Sequence, residues 1–183
     1  MIENINHLNK YKFLLLDIAD FNSINLFVDS LNTEPDLILI ATGIMHKNET
    51  LDDLSGLNIV NTNFVGPMIM IDRLLKKFKN IEKKLSLIVL SSVAGDRGRK
   101  KNVIYGSSKA ALSSYLSGIR QKYNSSNITI TTVKPGFVKT KMTKDFDMSN
   151  FLTCNPDEIA KLIFYAYINK RNVIYSKYWF LVM

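Results

Sequence analysis

The sequence predicts a layered α/β fold built on a parallel sheet. Short apolar runs alternate with stretches of helical period along the chain, and those runs are apolar on successive residues rather than on every second one. Strands buried on both faces and separated by helices read this way. Ligands of such sheets bind beyond the carboxyl ends of the strands, so the residues just after each apolar run are where chemistry is expected.

The run KFLLL (12–16) opens the series as a strand, and the helical DFNSINLFVDSL follows it. DLILIA (36–41) is the second strand, leading into a long helical region that ends near Lys79. Inside that region Pro67 stands four residues after Asn63. A proline has no amide to give the carbonyl at i−4, so a kink or break is expected there, with the Asn63 carbonyl left free. LSLIVLS (85–91) is the third strand and precedes a helix that includes Tyr105; ITITTVK (128–134) is the fourth. A helix from Pro156 to about Asn169 and a strand NVIYS (172–176) complete about five strands. With 183 residues and no internal repeat or linker, a single domain spanning 1–183 is expected. The positions that follow strands are Asp17, Ala41-Thr42-Gly43, Ser91-Ser92 and Pro135-Gly136.

Apolar residues at 46% and charged residues at 22% are globular values that argue against disorder and against a membrane-spanning protein. The longest near-apolar run, Tyr178 to Met183, is far shorter than the roughly 20 residues a bilayer requires. The start carries Glu3 and lacks the features of an export signal. Cys154 is the only cysteine, and His7 and His46 have no ligand spacing around them, so a cytoplasmic, metal-free protein is expected. The net charge of +8 raises a nucleic-acid or membrane-surface partner, through clusters at Lys76–Lys84, Arg97–Lys101 and Lys134–Lys144. These clusters carry no interleaved aromatic platform, so nucleic acid is not expected, and a basic nucleic-acid-binding module ranks as a second alternative.

The most informative segment is VLSSVAGDRGRKKNVIYGSSKAALSSYL (89–116). Tyr105 and Lys109, four apart, project from one helix face about a turn apart. A phenol is a poor acid-base catalyst at neutral pH. A neighbouring ammonium favours the phenolate, which makes a tyrosine a usable general acid. Ser92, at the end of the preceding strand, is placed to donate a hydrogen bond to the same substrate oxygen.

With LDIAD, DLILIATG, NTNFVG, LSSVAG, YGSSK and KPGFVKT in order between Asp17 and Thr140, the chain resembles the short-chain dehydrogenase/reductase family. The resemblance implies a Rossmann-type doubly wound parallel sheet and a nicotinamide-dependent oxidoreductase. It implies that Tyr105 donates and accepts the proton, that Lys109 binds the nicotinamide ribose and lowers the tyrosine pKa, and that Ser92 orients the carbonyl. Asn63 completes the tetrad, its main chain holding a water that relays protons from the lysine. Asp17, with Ile18, matches the adenine-contacting position; Ala41, Thr42 and Gly43 follow the second strand; Pro135, Gly136, Val138 and Thr140 match the turn that meets the nicotinamide carboxamide. The cofactor is NAD or NADP, the substrate a small carbonyl or alcohol, and a homo-oligomer is compatible with the family.

The resemblance has gaps. No glycine-rich turn follows a first strand, Gly43 is the first glycine, and I-A-T-G stands where the family has N-N-A-G. The first two family strands have no counterpart and the chain stops in the apolar YWFLVM, so the domain is expected to be truncated, incomplete at both ends, with cofactor binding weakened or lost. Such glycines let a pyrophosphate approach a helix N-terminus. A catalytically silent fragment or binding-only remnant is therefore the first alternative. The ending NVIYSKYWFLVM also resembles a branch of the family that approaches membranes and reduces keto-sugars, which adds peripheral membrane contact through the C-terminal end and a keto-sugar substrate to the expectations.

Overall fold

The computed structural model describes residues 13–46, 49–51, 54–143 and 153–177. The first helix, α1 (Phe21–Asp29), starts where the Asp20 carboxylate accepts the Asn22 amide, and it buries Ile24 and Val28, one turn apart. Strand β1 (Leu37–Ile40) follows, then a continuous helical stretch in three parts: α2 (Ser55–Val60), one π-helical turn (Asn61–Val65) and α3 (Gly66–Lys77). Strand β2 (Leu85–Leu90) leads through a 3₁₀ turn (Val93–Gly95) to α4 (Val103–Lys122) and β3 (Ile128–Lys134). The two-residue strands β4 (Phe137–Val138) and β5 (Thr153–Cys154) precede α5 (Pro156–Asn169) and β6 (Val173–Tyr175).

The main sheet has the order β1-β2-β3-β6, every pair parallel, with Leu37 opposite Ser86 and Leu85 opposite Ile128. Alternation along β2 divides the core. Leu85, Leu87 and Val89 pack with α1, α3 and α4 on one face, while Ile88 packs with Val133, Ile174 and Ala166 of α5 on the other. Helices therefore cover both faces of a parallel sheet, the doubly wound arrangement. β4 and β5 form a separate parallel ladder beyond the end of β3. No helix among the described residues is long and apolar enough to cross a membrane.

Three expectations need correcting. The run read as a strand at 12–16 forms none over its described residues: Phe13 and Leu14 are exposed and Leu15 is 102% exposed. Strands exist by pairing, and no neighbouring ladder receives this one. Among the described residues the main sheet accordingly has four strands, with β1 at its edge. DLILIA, read as buried on both faces, is covered on one: Ile38 and Ile40 join the core, whereas Leu37 and Leu39 stay 40% and 45% exposed. Finally, the helix at Pro67 widens instead of breaking. The Gly66 amide reaches back five residues to the Asn61 carbonyl, so the turn absorbs one extra residue where proline removes a donor. The tail Tyr178 to Met183, read as a membrane-approaching end, lies outside the described residues, as do Glu3, His7, Lys12 and Lys144.

Candidate active site

The π-helical turn aims Asn63 inward, where its side chain is 0% exposed. Its amide donates to the Ile44 carbonyl (2.9 Å) and to Ser108 Oγ (3.2 Å), and its Oδ1 accepts the Ile44 amide (2.8 Å). This two-way grip on one residue fixes the loop that leaves β1. Gly43 lies in that loop at close quarters: a Cβ there would sit 3.3 Å from both Asn63 Oδ1 and Lys109 Nζ. Thr42 Oγ1 is buried with no hydrogen-bond partner among the described residues.

Ser92 lies two residues past the end of β2 and caps the 3₁₀ turn, its hydroxyl accepting the Ala94 amide (3.1 Å). Two glycines let this turn lie against α4. A Cβ on Gly95 would meet the Ala110 amide nitrogen at 2.6 Å, and one on Gly106 would meet the Ala94 carbonyl oxygen at 2.9 Å. That contact brings Ser92 within hydrogen-bonding reach of the Tyr105 phenol. Behind them Ser91 Oγ donates to the Lys109 carbonyl (3.0 Å) and shares a hydrogen bond with Ser113 Oγ (2.7 Å).

Lys109 is 3% exposed. Its ammonium donates to the Leu90 carbonyl (3.1 Å), lies 3.5 Å from the Thr42 carbonyl, and stands 6.0 Å from the centre of the Tyr105 ring. Burial pulls its pKa down to about 8. Tyr105 moves the other way. Burial raises its pKa, the hydrogen bond from Ser92 opposes the rise, and the Glu49 carboxylate adds to it. The lowering expected from Lys109 is thus not realised in this geometry, because desolvation of the phenolate dominates while the ammonium is directed at two carbonyls.

Tyr105, Lys109 and Ser92 line one cleft of about 420 Å³ at the carboxyl edge of the sheet, with Ala41, Thr42 and Gly43 on one side and Pro135, Gly136, Val138 and Thr140 on another. Met45, Met142, Ile159 and Ile163 make much of its wall apolar, and Arg99 lies at its margin. Asn63 stands behind the cleft, holding its wall. Asp17 and Ile18 do not line it. The Asp17 carboxylate accepts the Ala19 amide (2.9 Å) in a turn, and Ile18 is buried in the core. Sequence reasoning missed Glu49 and Ser108 and marked Ser91 only as a strand-end position; the partners of these three lie 18 to 56 residues away or on ordinary helix spacing.

The residues at the inner end of the cleft suit a nicotinamide group. Gly43 leaves open the space a side chain would fill, and the unpartnered Thr42 hydroxyl and the Lys109 ammonium, which lies 3.5 Å from the Thr42 carbonyl, offer donors to a ribose or carboxamide. The basic clusters are partly engaged elsewhere. Lys134 pairs with Asp96 and lies over the Tyr175 ring, Lys76 pairs with Asp72 and Lys83 with Asp36, and Lys77 donates to the Val28 carbonyl.

The family model described as short chain dehydrogenase matches residues 1–150. An uncharacterised oxidoreductase of Mycobacterium tuberculosis is 30% identical over 139 residues, covering 75% of this chain and 55% of that protein. An NADP-dependent 3-hydroxy acid dehydrogenase of Schizosaccharomyces pombe is 27% identical over 177 residues, covering 88% of this chain and 68% of that protein. The chain thus spans little more than half the length of the first of these relatives. Among solved structures, ElxO with NADP bound superposes with a TM-score of 0.84 at 20% identity, over 100% of this chain and 85% of its own.

Proposed function

The chain belongs to the short-chain dehydrogenase/reductase family, and from that premise we propose that it carries the catalytic centre of an NAD(P)-dependent oxidoreductase acting on a small carbonyl or alcohol. The observation that carries the reading is the convergence of Tyr105, Ser92 and Lys109 on one cleft beyond the carboxyl ends of β1, β2 and β3. When bound, the nicotinamide supplies or accepts the hydride. The Tyr105 phenol delivers the proton to the substrate oxygen, and Ser92 steadies the charge that develops on it. Lys109, Thr42 and Gly43 receive the ribose and carboxamide, with Pro135, Gly136, Val138 and Thr140 on the opposite wall. Asn63 acts one step back, holding the loop that carries Thr42 and Gly43.

Burial raises the Tyr105 pKa, which favours the protonated phenol as donor to an alkoxide forming on the substrate; alcohol oxidation uses the same group in reverse, as proton acceptor. The apolar wall suits a carbonyl with a hydrocarbon body, and a keto-sugar fits it less well.

The test is loss of NADH or NADPH absorbance at high nucleotide concentration across a panel of aldehydes and ketones. Reduction abolished by Tyr105→Phe and lowered by roughly a hundredfold or more in Ser92→Ala is the expected result. Turnover that survives Tyr105→Phe overturns the assignment. A chain that keeps this cleft but shows no turnover with any carbonyl supports the silent remnant.

A further inference from the structure

The helix that carries Tyr105 is not capped by its own sequence. Asn102, the residue before its first turn, makes no side-chain capping bond. The orphan amides go instead to a carboxylate from the loop after β1. Glu49 Oε2 accepts the Ile104 amide at 2.8 Å, and both its oxygens lie 3.2 Å from the Tyr105 amide. A carboxylate at a helix N-terminus satisfies donors and meets the positive end of the helix dipole.

The loop that supplies Glu49 is itself anchored on both sides. Asn63 grips Ile44 upstream. Just downstream, the Thr50 carbonyl accepts the Gly56 amide (2.8 Å) and the Ser55 hydroxyl (3.2 Å). Gly56 permits this approach: a Cβ there would fall 2.5 Å from the Thr50 oxygen and 2.7 Å from the Ile104 side chain. The first turns of α2 and α4 therefore meet across Thr50 and Ile104, and Glu49 is delivered to the amides at the start of α4.

We propose that Glu49 is a positioning residue of the catalytic centre, a cap supplied from the β1 loop that fixes the first turn of α4 and sets a negative charge at the Tyr105 end of that helix, opposite in sign to the Lys109 ammonium near the Tyr105 ring. The inference rests on the reading of Tyr105 as the proton donor only for its consequence in catalysis, since the cap exists without it. Facing Tyr105 are Lys109 from its own helix, Ser92 from just past β2 and Glu49 from the loop, with Arg99 lining the same cleft. Of these, Glu49 alone is anionic. Burial is the main cause that raises the tyrosine pKa, the Ser92 hydrogen bond opposes it, and the Glu49 charge adds to the rise. The cap thus links the proton affinity of the phenol to the position of the loop bearing Thr42 and Gly43.

Two substitutions separate position from charge. Glu49→Gln retains an amide-oxygen acceptor and removes the charge; Glu49→Ala removes both. Neither readout requires nucleotide or turnover: amide hydrogen exchange at Ile104 and Tyr105, and titration of Tyr105 by NMR with ring-labelled tyrosine, assigned by its loss in Tyr105→Phe. Glu49→Ala is expected to speed exchange at the two amides by about tenfold, the equivalent of one cap. Glu49→Gln is expected to preserve most of that protection yet move the Tyr105 titration to lower pH. Exchange unchanged in Glu49→Ala overturns the capping role. A Tyr105 titration unmoved in Glu49→Gln overturns the electrostatic one. If both expected shifts occur but Tyr105→Phe still reduces carbonyls, the catalytic assignment fails and the cap stands.

Discussion

At the scale of single residues, Lys109 shows a site held against its own stability. A buried ammonium with two carbonyl acceptors carries a pKa of about 8, below the value near 10.4 of an unfolded lysine. Between those values the unfolded chain binds the extra proton, so this group's contribution to stability rises with pH; its penalty is fully present below about pH 8. The gap corresponds to an upper bound on the order of 3 kcal/mol. Lys109→Met removes the charge and leaves the Leu90 and Thr42 carbonyls without that donor. The expected outcome in urea unfolding is a variant at least as stable as the parent near pH 7, losing its relative advantage by about pH 10. A relative stability that does not change with pH contradicts the burial account.

Tyr105, Lys109 and Ser92 were legible in the sequence because helix spacing and the strand end set their relations locally. Glu49 was not, since nothing within a helical turn of it announces that its partners are 55 and 56 residues ahead. The Tyr105 pKa was misread for a related reason. Adjacency in sequence suggested that the ammonium would govern the phenol, whereas burial, a property of the packed cleft, outweighs it.

At the scale of elements, strands β2 and β3 agree with their apolar runs to within a residue, because each is paired on both edges and its composition reports that burial. The run at 12–16 has comparable composition and no neighbour, and apolarity alone does not make a strand. Pro67 announced a fault in the helix without revealing that one wider turn would absorb it. The approach of the 3₁₀ turn to α4 was also hidden, since it depends on Gly95 meeting backbone atoms rather than a side chain. A Cβ at 2.6 Å from a backbone nitrogen cannot be relieved by a rotamer change. Gly95→Ala is therefore expected to cost about 1–3 kcal/mol, a cost of the overpacking kind, and to weaken the Ser92–Tyr105 hydrogen bond as the turn moves off the helix. Gly98, whose added Cβ would meet nothing within 4 Å, is the control: Gly98→Ala is expected to unfold at the urea midpoint of the parent. Equal midpoints for the two variants contradict the packing argument.

At the scale of the whole molecule, the described residues of the cleft suit one end of a dinucleotide better than the other. Gly43, Thr42 and Lys109 suit a nicotinamide ribose, but a dinucleotide also needs its pyrophosphate held, most economically by free amides at a helix start. Among the described residues those starts are committed. Asp20 caps α1, Glu49 caps α4, and Asn155 with Glu158 forms a reciprocal box on α5. In α2 the Gly56 amide is given to Thr50, and α3 continues from the π-helical turn with Pro67 in its first turn. The strand-end turns Ala41-Thr42-Gly43 and Pro135-Gly136 each contain a single glycine. Three of the caps carry a carboxylate, which would repel a phosphate where other folds attract one. Calorimetry with NAD⁺, NADH, NADP⁺ and NADPH is expected to give dissociation constants weaker than micromolar for all four. Nicotinamide mononucleotide, which lacks the adenylate half, should then bind almost as well as the dinucleotides, since the adenylate adds no held contact. A micromolar dissociation constant for any dinucleotide, or a large advantage of dinucleotide over mononucleotide, would show that a phosphate site exists on this chain and would overturn the division of the cleft into two unequal ends.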